Sequence, residues 1–343
     1  MNAFGKQYKL PFRFVAKDLF SETALRHDLE YCAGFFDGDG CVTGVGRDGT
    51  CRLQIGQSAS SCEALLLFAR LFGGAVYVQR RGKGSAKPMV QWQLGGEACI
   101  KAAAALGCHP SVKQSQLQLA ASWPKPPLRD TAVKHLRALK DATPKPEDVH
   151  CSWSYLAGFF DAEGCISVPA KQRSVVLQIG QKHKAALAAI QSFLGFEFPQ
   201  YSSHLRSFKG MWHLSLEKTD FSRCVSTRMV SFGLRVKRES AKAALSLEDS
   251  NHAVVRAKLA GLSGNQSKSI RLDEEGCFRA RAIAAAQTKL YYYSSVGRAD
   301  LVGQLKLEIT HMKERHARLN AEHRISNLRR QVRIMLRTGC VAE

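Results

Sequence analysis

"YCAGFFDGDGC" fills residues 31–41 and "YLAGFFDAEGC" fills residues 155–165, so one apolar run ending in acid-x-acid-Gly occurs twice in the chain. The two starts lie 124 residues apart. The same offset separates "LQIGQ" at 53–57 from its copy at 177–181, and "VK" at 112–113 from 236–237. Between these anchors the register slips a little: "QWQL" starts at 91 and "MWHL" at 211, as small loop insertions would cause. Chance does not place three anchors at one offset, so a unit of roughly 120 residues is duplicated.

Both copies read alike. Helical spacing covers 26–38, and alternation predicts strands at about 41–47 and 51–57. An apolar helix follows over 60–72, then strands at about 75–81 and 89–94 lead into the helix "GEACIKAAAAL". The second copy places strands near 165–170, 174–181, 198–205 and 211–216. The fold class is therefore α+β: two pseudo-symmetric α-β-β-α-β-β-α units with four-stranded antiparallel sheets, each covered by helices on one face, plus a C-terminal helical extension. The expected divisions are an N-terminal arm (1–25), a first unit (26–141), a linker (142–152), a second unit (153–251) and the extension (252–343). Pro144 and Pro146 break any helix in the linker region. In the extension, apolar residues recur at 301, 305, 309, 312, 319, 325, 328, 332 and 335, and 17 Lys and Arg face 8 acids. Lys6, Lys9, Arg13 and Lys17 precede the first acid, Asp18; an organellar transit segment and a leading strand or arm both fit that pattern.

The 343 residues carry 50 Lys and Arg against 29 acids, a net charge of +21. A compact chain so charged repels itself unless a polyanion is its usual partner, with nucleic acid first and an anionic membrane surface second. No apolar run approaches the roughly 20 residues of a membrane span. Eleven cysteines, with no CxxC pair and no zinc-ligand spacing, argue against a disulfide framework or a zinc ribbon. Cys41 and Cys165 follow the two motifs at matching places and read as small buried residues rather than nucleophiles.

In a helix, Ala33, Gly34 and Asp37 fall at i, i+1 and i+4, so the small residues make a flat stripe. Such stripes let two helices approach closely, and Ala157, Gly158 and Asp161 supply the partner. Side by side, these helices bring their C-terminal ends together at Asp39 and Glu163, each followed by a glycine (Gly40, Gly164) suited to a left-handed cap. Two negative helix ends carrying two carboxylates repel one another. A divalent cation removes that conflict, and hard oxygens suit Mg²⁺. Mg²⁺ between carboxylates and a phosphodiester activates water, so the repeat and the charge together point to phosphodiester hydrolysis.

At these residues the chain resembles the LAGLIDADG homing endonucleases in their single-chain, two-motif form. "LEYCAGFFDGDG" and "WSYLAGFFDAEG" carry the resemblance, which covers roughly residues 28–250. It implies that the motif helices form the interface between the halves, with Asp37 and Asp161 as structural acids. It also implies that Asp39 and Glu163 bind catalytic Mg²⁺ or Mn²⁺ and that the sheets form a saddle over the major groove. Gln57, Gln181, Lys113 and Lys237 would complete the catalytic surroundings. Strand phase puts Leu53 and Ile55 towards the helices and Arg52 and Gln54 towards the partner, with Gln57 breaking the alternation as a residue leaving the strand end would. The same phase selects Arg47, Arg52, Gln54, Gln79, Arg81 and Gln91 for DNA contact, with Lys83 and Lys87 in the hairpin. In the second copy it selects Lys171, Arg173, Gln178, His204, Arg206, Lys209 and His213. Arg and Gln form bidentate pairs with guanine and adenine edges, and loop lysines contact phosphate.

The expected function is a site-specific, metal-dependent double-strand break in a long, asymmetric DNA target, made by a monomer with no membrane partner. The alternatives are an intron RNA maturase or a non-cleaving DNA binder on the same scaffold. Retention of both carboxylates, both glutamines and both lysines favours the enzyme, and the basic extension fits an RNA role best. The cysteine pattern makes a reducing, intracellular setting the simpler reading, in a nucleus or an organelle, and the sequence does not choose between them.

Overall fold

The computed structural model describes residues 1–14, 25–45, 49–80, 87–169, 172–263 and 274–338. Two compact units make up the chain: Met1–Arg81 with Pro88–Gln266, and Gly82–Lys87 with Ser267–Glu343.

The first unit opens on two very short strands, β1 (Asn2–Ala3) and β2 (Lys6–Gln7), and continues with β3 (Phe12–Phe14) and helix α1 (Leu25–Asp39). Strands β4 (Gly40–Val45) and β5 (Thr50–Ser58), helix α2 (Glu63–Phe72), strands β6 (Gly74–Arg80) and β7 (Met89–Gly95) and helix α3 (Gly96–Gly107) follow. Helices α4 (Gln114–Ala121) and α5 (Arg129–Asp141) and a 3₁₀ turn at Pro146–Asp148 lead to the second copy. That copy contains α6 (Trp153–Glu163), β8 (Gly164–Ser167), β9 (Val176–Gln181), α7 (Lys184–Glu197), β10 (His204–Phe208), β11 (Met211–Leu216), α8 (Thr219–Ser231) and α9 (Arg238–Leu245). Helix α10 (His252–Ser263) closes the unit: its Val255 and Leu259 are buried in the same core.

Both sheets are antiparallel. The second has the expected four strands, in the order β10-β11-β9-β8. The first has five, β3-β6-β7-β5-β4, because "FRF" of the N-terminal arm pairs along the open edge of β6. Arm residues are tied down by backbone bonds from Asn2 N to Ala59 O (2.8 Å) and from Cys62 N to Asn2 O (3.0 Å). The strand expected near 198–205 starts only at His204. Phe198 instead ends α7, Pro199 has no N–H to give a ladder, and Tyr201 stacks on Phe221 at 4.9 Å.

Each sheet packs one apolar face against its helices. In the first copy Phe35, Phe36, Phe68, Phe72 and Trp92 form an aromatic cluster, and the Trp92 indole N–H donates to Gly73 O (2.9 Å). Each buried ring of this kind contributes about 1.5–3 kcal/mol. In the second copy Trp153 meets Phe193 edge-on and Phe198 packs on Phe221.

The second unit is a helical hairpin of α11 (Glu274–Ser295) and α12 (Ala299–Thr338), turned at Gly297 with φ of 74°. The periodic apolar positions read from the sequence hold up to Leu319: Ile309 is buried, and Leu301, Leu305, Met312 and Leu319 are half-buried. Further along, Ile325 and Val332 are exposed. Among the described residues no helix is long and apolar enough to cross a membrane.

Candidate active site and nucleic-acid interface

Helices α1 and α6 run parallel at a separation only glycine permits. A Cβ on Gly34 would overlap the carbonyl oxygen of Tyr155 and lie 3.0 Å from Phe159 N. A Cβ on Gly158 would overlap the carbonyl oxygen of Tyr31 and lie 2.9 Å from Phe35 N. Ala33 and Ala157 are buried beside them. The starts of the helices are joined as well: Ser152 caps α6 by accepting from Tyr155 N (3.1 Å) and donates to Glu30 (2.6 Å).

Asp37 and Asp161 sit in the middle of this contact and serve it symmetrically. Tyr31 donates its hydroxyl to Asp161 (2.7 Å), and Tyr155 donates to Asp37 (2.7 Å). Asp37 also accepts the backbone N–H groups of Val112 and Lys113 (2.8 and 2.9 Å), where α4 begins. Asp161 accepts those of Arg235, Val236 and Lys237 (2.7, 3.0 and 2.7 Å), where α9 begins. Each acid therefore fastens its own half to the other half's tyrosine and to its own late helix. The tyrosines were missed in the sequence, although both stand first in the quoted runs. Replacing Tyr31 by Phe removes one donor from a buried carboxylate and is expected to cost about 1–3 kcal/mol, read as a fall in the urea midpoint.

The next acids, Asp39 and Glu163, stand at the ends of the two helices. Burial, then the charge of Glu163, pushes the Asp39 carboxyl up to about 6, and burial also raises Glu163. Gln57 donates its amide to Asp39, and Gln181 donates to Glu163 (3.1 Å). Gln57 does not leave its strand: it pairs with Val90 and shares the helix-facing side of β5 with Leu53 and Ile55. A polar residue in that apolar phase reaches a helix end, not the outer face.

Lys237 is buried and Lys113 half-buried, and the ammonium group of each turns inward. Lys113 Nζ donates to Phe36 O (2.8 Å) and Gly40 O (2.6 Å), and Lys237 Nζ donates to Phe160 O (2.8 Å) and Asp161 O (2.6 Å). They satisfy carbonyls at the ends of α1 and α6, where a cation also favours the helix dipole. Burial lowers both ammonium groups, and the facing acids oppose that shift. The glycines after the acids are not left-handed caps: Gly164 has φ of −78°, and Gly40 also lies outside the positive-φ region. A side chain there would instead run into the Phe36 or Phe160 ring.

Among the described residues no three His, Cys, Asp or Glu side chains cluster. The donor set is two raised carboxylates, one on each helix. This fits a hard cation that completes its shell with water and phosphate oxygens, as Mg²⁺ does.

The outer faces of the sheets are polar. In the first, Arg52, Gln54 and Gln91 share one face, and Gln91 donates to Gln54 (3.5 Å). Gln93 lies on the same face and donates to Gln91 (2.5 Å); the alternation of "QWQL" signals it as plainly as it does Gln91. A bulge between Val78 and Arg80 sets Arg80 opposite Met89, in the phase of Gln91, and Gln79 reaches over Gly56. Arg13, on β3, joins the face through its pairing with Ala75. In the second sheet Gln178, His204, Arg206 and His213 share the outer face, and Lys209 lies at the tip of the β10–β11 turn with φ of 51°. Arg173 precedes its strand and pairs with Asp249 (3.4 Å). Lys87 belongs to the second compact unit. Arg47, Arg81, Lys83 and Lys171 lie outside the described residues. Cys41 and Cys165 are not buried: they are the first outward-facing residues of β4 and β8, paired with Gln54 and Gln178.

Two α-β-β-α-β-β-α units joined by parallel glycine-packed motif helices make up the fold of the LAGLIDADG homing endonucleases. Solved structures of such proteins superpose on the chain. A mutant of I-SmaMI matches with a TM-score of 0.50 at 13% identity, covering 70% of this chain and 99% of that one. Meganuclease I-SmaMI bound to uncleaveable DNA matches with 0.50 at 15%, covering 71% and 98%. LAGLIDADG homing endonuclease I-GzeII in complex with its DNA target matches with 0.48 at 13%, covering 70% and 98%. No protein-family model and no curated protein sequence matches the chain.

Proposed function

We propose that the chain is a site-specific DNA endonuclease that hydrolyses one phosphodiester in each strand of a long, asymmetric duplex target, acting as a monomer. The observation that carries this reading is the meeting of Asp39 and Glu163 at the ends of two paired helices, each beside a glutamine and both facing the charges of Lys113 and Lys237. Asp39 and Glu163 would hold Mg²⁺ or Mn²⁺. Such an ion, when bound, supplies a water activated near neutral pH and stabilises the leaving oxygen. Gln57 and Gln181 orient the carboxylates by donating to them. Lys113 and Lys237, fixed on helix carbonyls, place positive charge behind the acids and favour their ionised form. The outward Arg, Gln and His side chains of the two sheets meet base edges in the major groove, where bidentate pairs discriminate by about 1–3 kcal/mol each.

Incubation of the full chain with a randomised duplex library and Mg²⁺ tests the proposal. Cleaved ends are expected from the wild type and not from Asp39→Asn or Glu163→Gln, while both variants keep binding. Wild-type binding without cleavage at any divalent metal would sink the nuclease reading in favour of a maturase or a plain binder. Affinity is also expected to fall by about 10³-fold or more between about 50 and 200 mM salt, as six or more phosphate contacts require. A flat salt response in a filter-binding titration would remove nucleic acid as the partner.

A further inference from the structure

The two sheets are copies of one unit, yet they are not equally wide. Each starts beside the carboxylates, because β4 follows Asp39 and β8 follows Glu163 directly. From there the second sheet crosses three strand spacings to β10, whereas the first crosses four to β3. At about 4.8 Å per spacing the first face reaches about 5 Å further from the carboxylates. That distance is about one and a half base pairs at ~3.4 Å each.

The extra strand carries a side chain suited to this place. One row across the first sheet runs Arg13–Ala75–Gln93–Gln54–Cys41, and its counterpart in the second runs His204–Ser215–Gln178–Cys165. His204 ends its row on the outermost strand. At the matching strand of the first sheet the row holds only Ala75, whose methyl group makes no hydrogen bond. The row then continues one strand further, to an exposed Arg13. Phe12, next to it, packs against the core and against Tyr8 (5.5 Å, edge-on), which fixes the phase of the strand.

We propose that β3 widens the base-reading face of the first half, with Arg13 as its outermost reader. The half-site facing residues 12–95 is then specified one to two base pairs further from the cleavage point than the half-site facing residues 164–216. A guanine is the base its guanidinium fork suits best. This rests on the endonuclease reading above, and the test separates the two.

The full-length wild type, Arg13→Ala and Arg13→Lys are each selected against the same randomised duplex library, and base preference is read position by position. The wild type is expected to show an asymmetric profile whose longer arm ends in a preferred guanine. Arg13→Ala is expected to lose about tenfold or more of the discrimination there, with inner positions keeping their ranking. Arg13→Lys is expected to fail to restore it, because a lysine lacks the fork. Three results would overturn the proposal alone: arms of equal length, an unchanged profile in Arg13→Ala, or a uniform loss of affinity that Arg13→Lys repairs, which marks a phosphate contact. A wild type that enriches no sequence would overturn the endonuclease reading and this proposal with it.

Discussion

Replacing Gly34 or Gly158 by valine is expected to abolish cooperative folding. The added Cβ alone would overlap a carbonyl oxygen of the partner helix, and backbone cannot move aside as a flexible side chain can. Parting the helices would break more than packing. The Tyr31–Asp161 and Tyr155–Asp37 bonds cross the same contact, so their buried carboxylates would lose a donor each. The starts of α4 and α9 hang on those same acids. Overpacking by itself costs about 1–3 kcal/mol, and an unsatisfied buried partner adds about 1–3 kcal/mol for each bond lost. The sum, about 3–9 kcal/mol, is comparable to the ~5–15 kcal/mol that holds a domain together. Gly195 provides the control: it lies in α7, and a Cβ there would meet nothing within 4 Å. Gly195→Ala is expected to raise stability by about 0.5–1 kcal/mol through helix propensity. Urea unfolding of the three variants decides the matter, and a Gly34→Val protein with a wild-type midpoint would show that the helices do not depend on this contact.

The repeat made most of this architecture readable without coordinates. Three anchors at one offset set the order of elements in both copies, and alternation assigned the faces of Leu53, Gln54, Ile55 and Gln91 correctly, though not that of Gln57, which keeps the phase it was expected to break. Legibility ended where a residue's role is set by a distant partner. "FRF" at 12–14 is too short to carry a period, so only the open edge of β6 reveals it as a strand. Lys113 and Lys237 precede polar helix starts, and nothing local shows that their ammonium groups turn inward, Lys237 buried and Lys113 half-buried, because helix-end carbonyls need donors. Gly40 and Gly164 suggested left-handed caps, the usual reason for glycine at a helix end, whereas the aromatic ring four residues earlier is the reason here. Cys41 and Cys165 read as core residues because cysteine usually is; the turn from helix into strand points them outward instead. The bulge at Val78–Arg80 adds Arg80 to the outward phase beside Gln79, which simple alternation selected without it.

Asp39→Asn, expected to end cleavage, is also expected to make the metal-free protein more stable at about pH 7.5. The carboxyl of Asp39 is raised from 3.8 to about 6 by burial and by Glu163, so the folded state holds its proton more tightly than the unfolded chain does. Between these values the folded protein binds more protons, and stability therefore falls as pH rises through that window. Above about 6 the penalty is complete and amounts to roughly 3 kcal/mol at most, at ~1.4 kcal/mol per pH unit. An asparagine keeps an oxygen that Gln57 can donate to and carries no charge to repel Glu163. The gain in Tm should therefore be largest near neutral pH and vanish below about pH 3, where the wild-type acid is protonated in both states. Divalent metal should reverse the order: an ion bound to the folded wild type stabilises it by about 4.1 kcal/mol at about a thousandfold excess over Kd, more than the penalty of roughly 3 kcal/mol, and the variant forgoes that gain. Thermal unfolding of both proteins at several pH values, with Mg²⁺ and with a chelator, measures every part of this. A wild type that is the more stable protein without metal at neutral pH would mean that Asp39 and Glu163 are settled structural acids, and the case for a cation between the helix ends would fall with it.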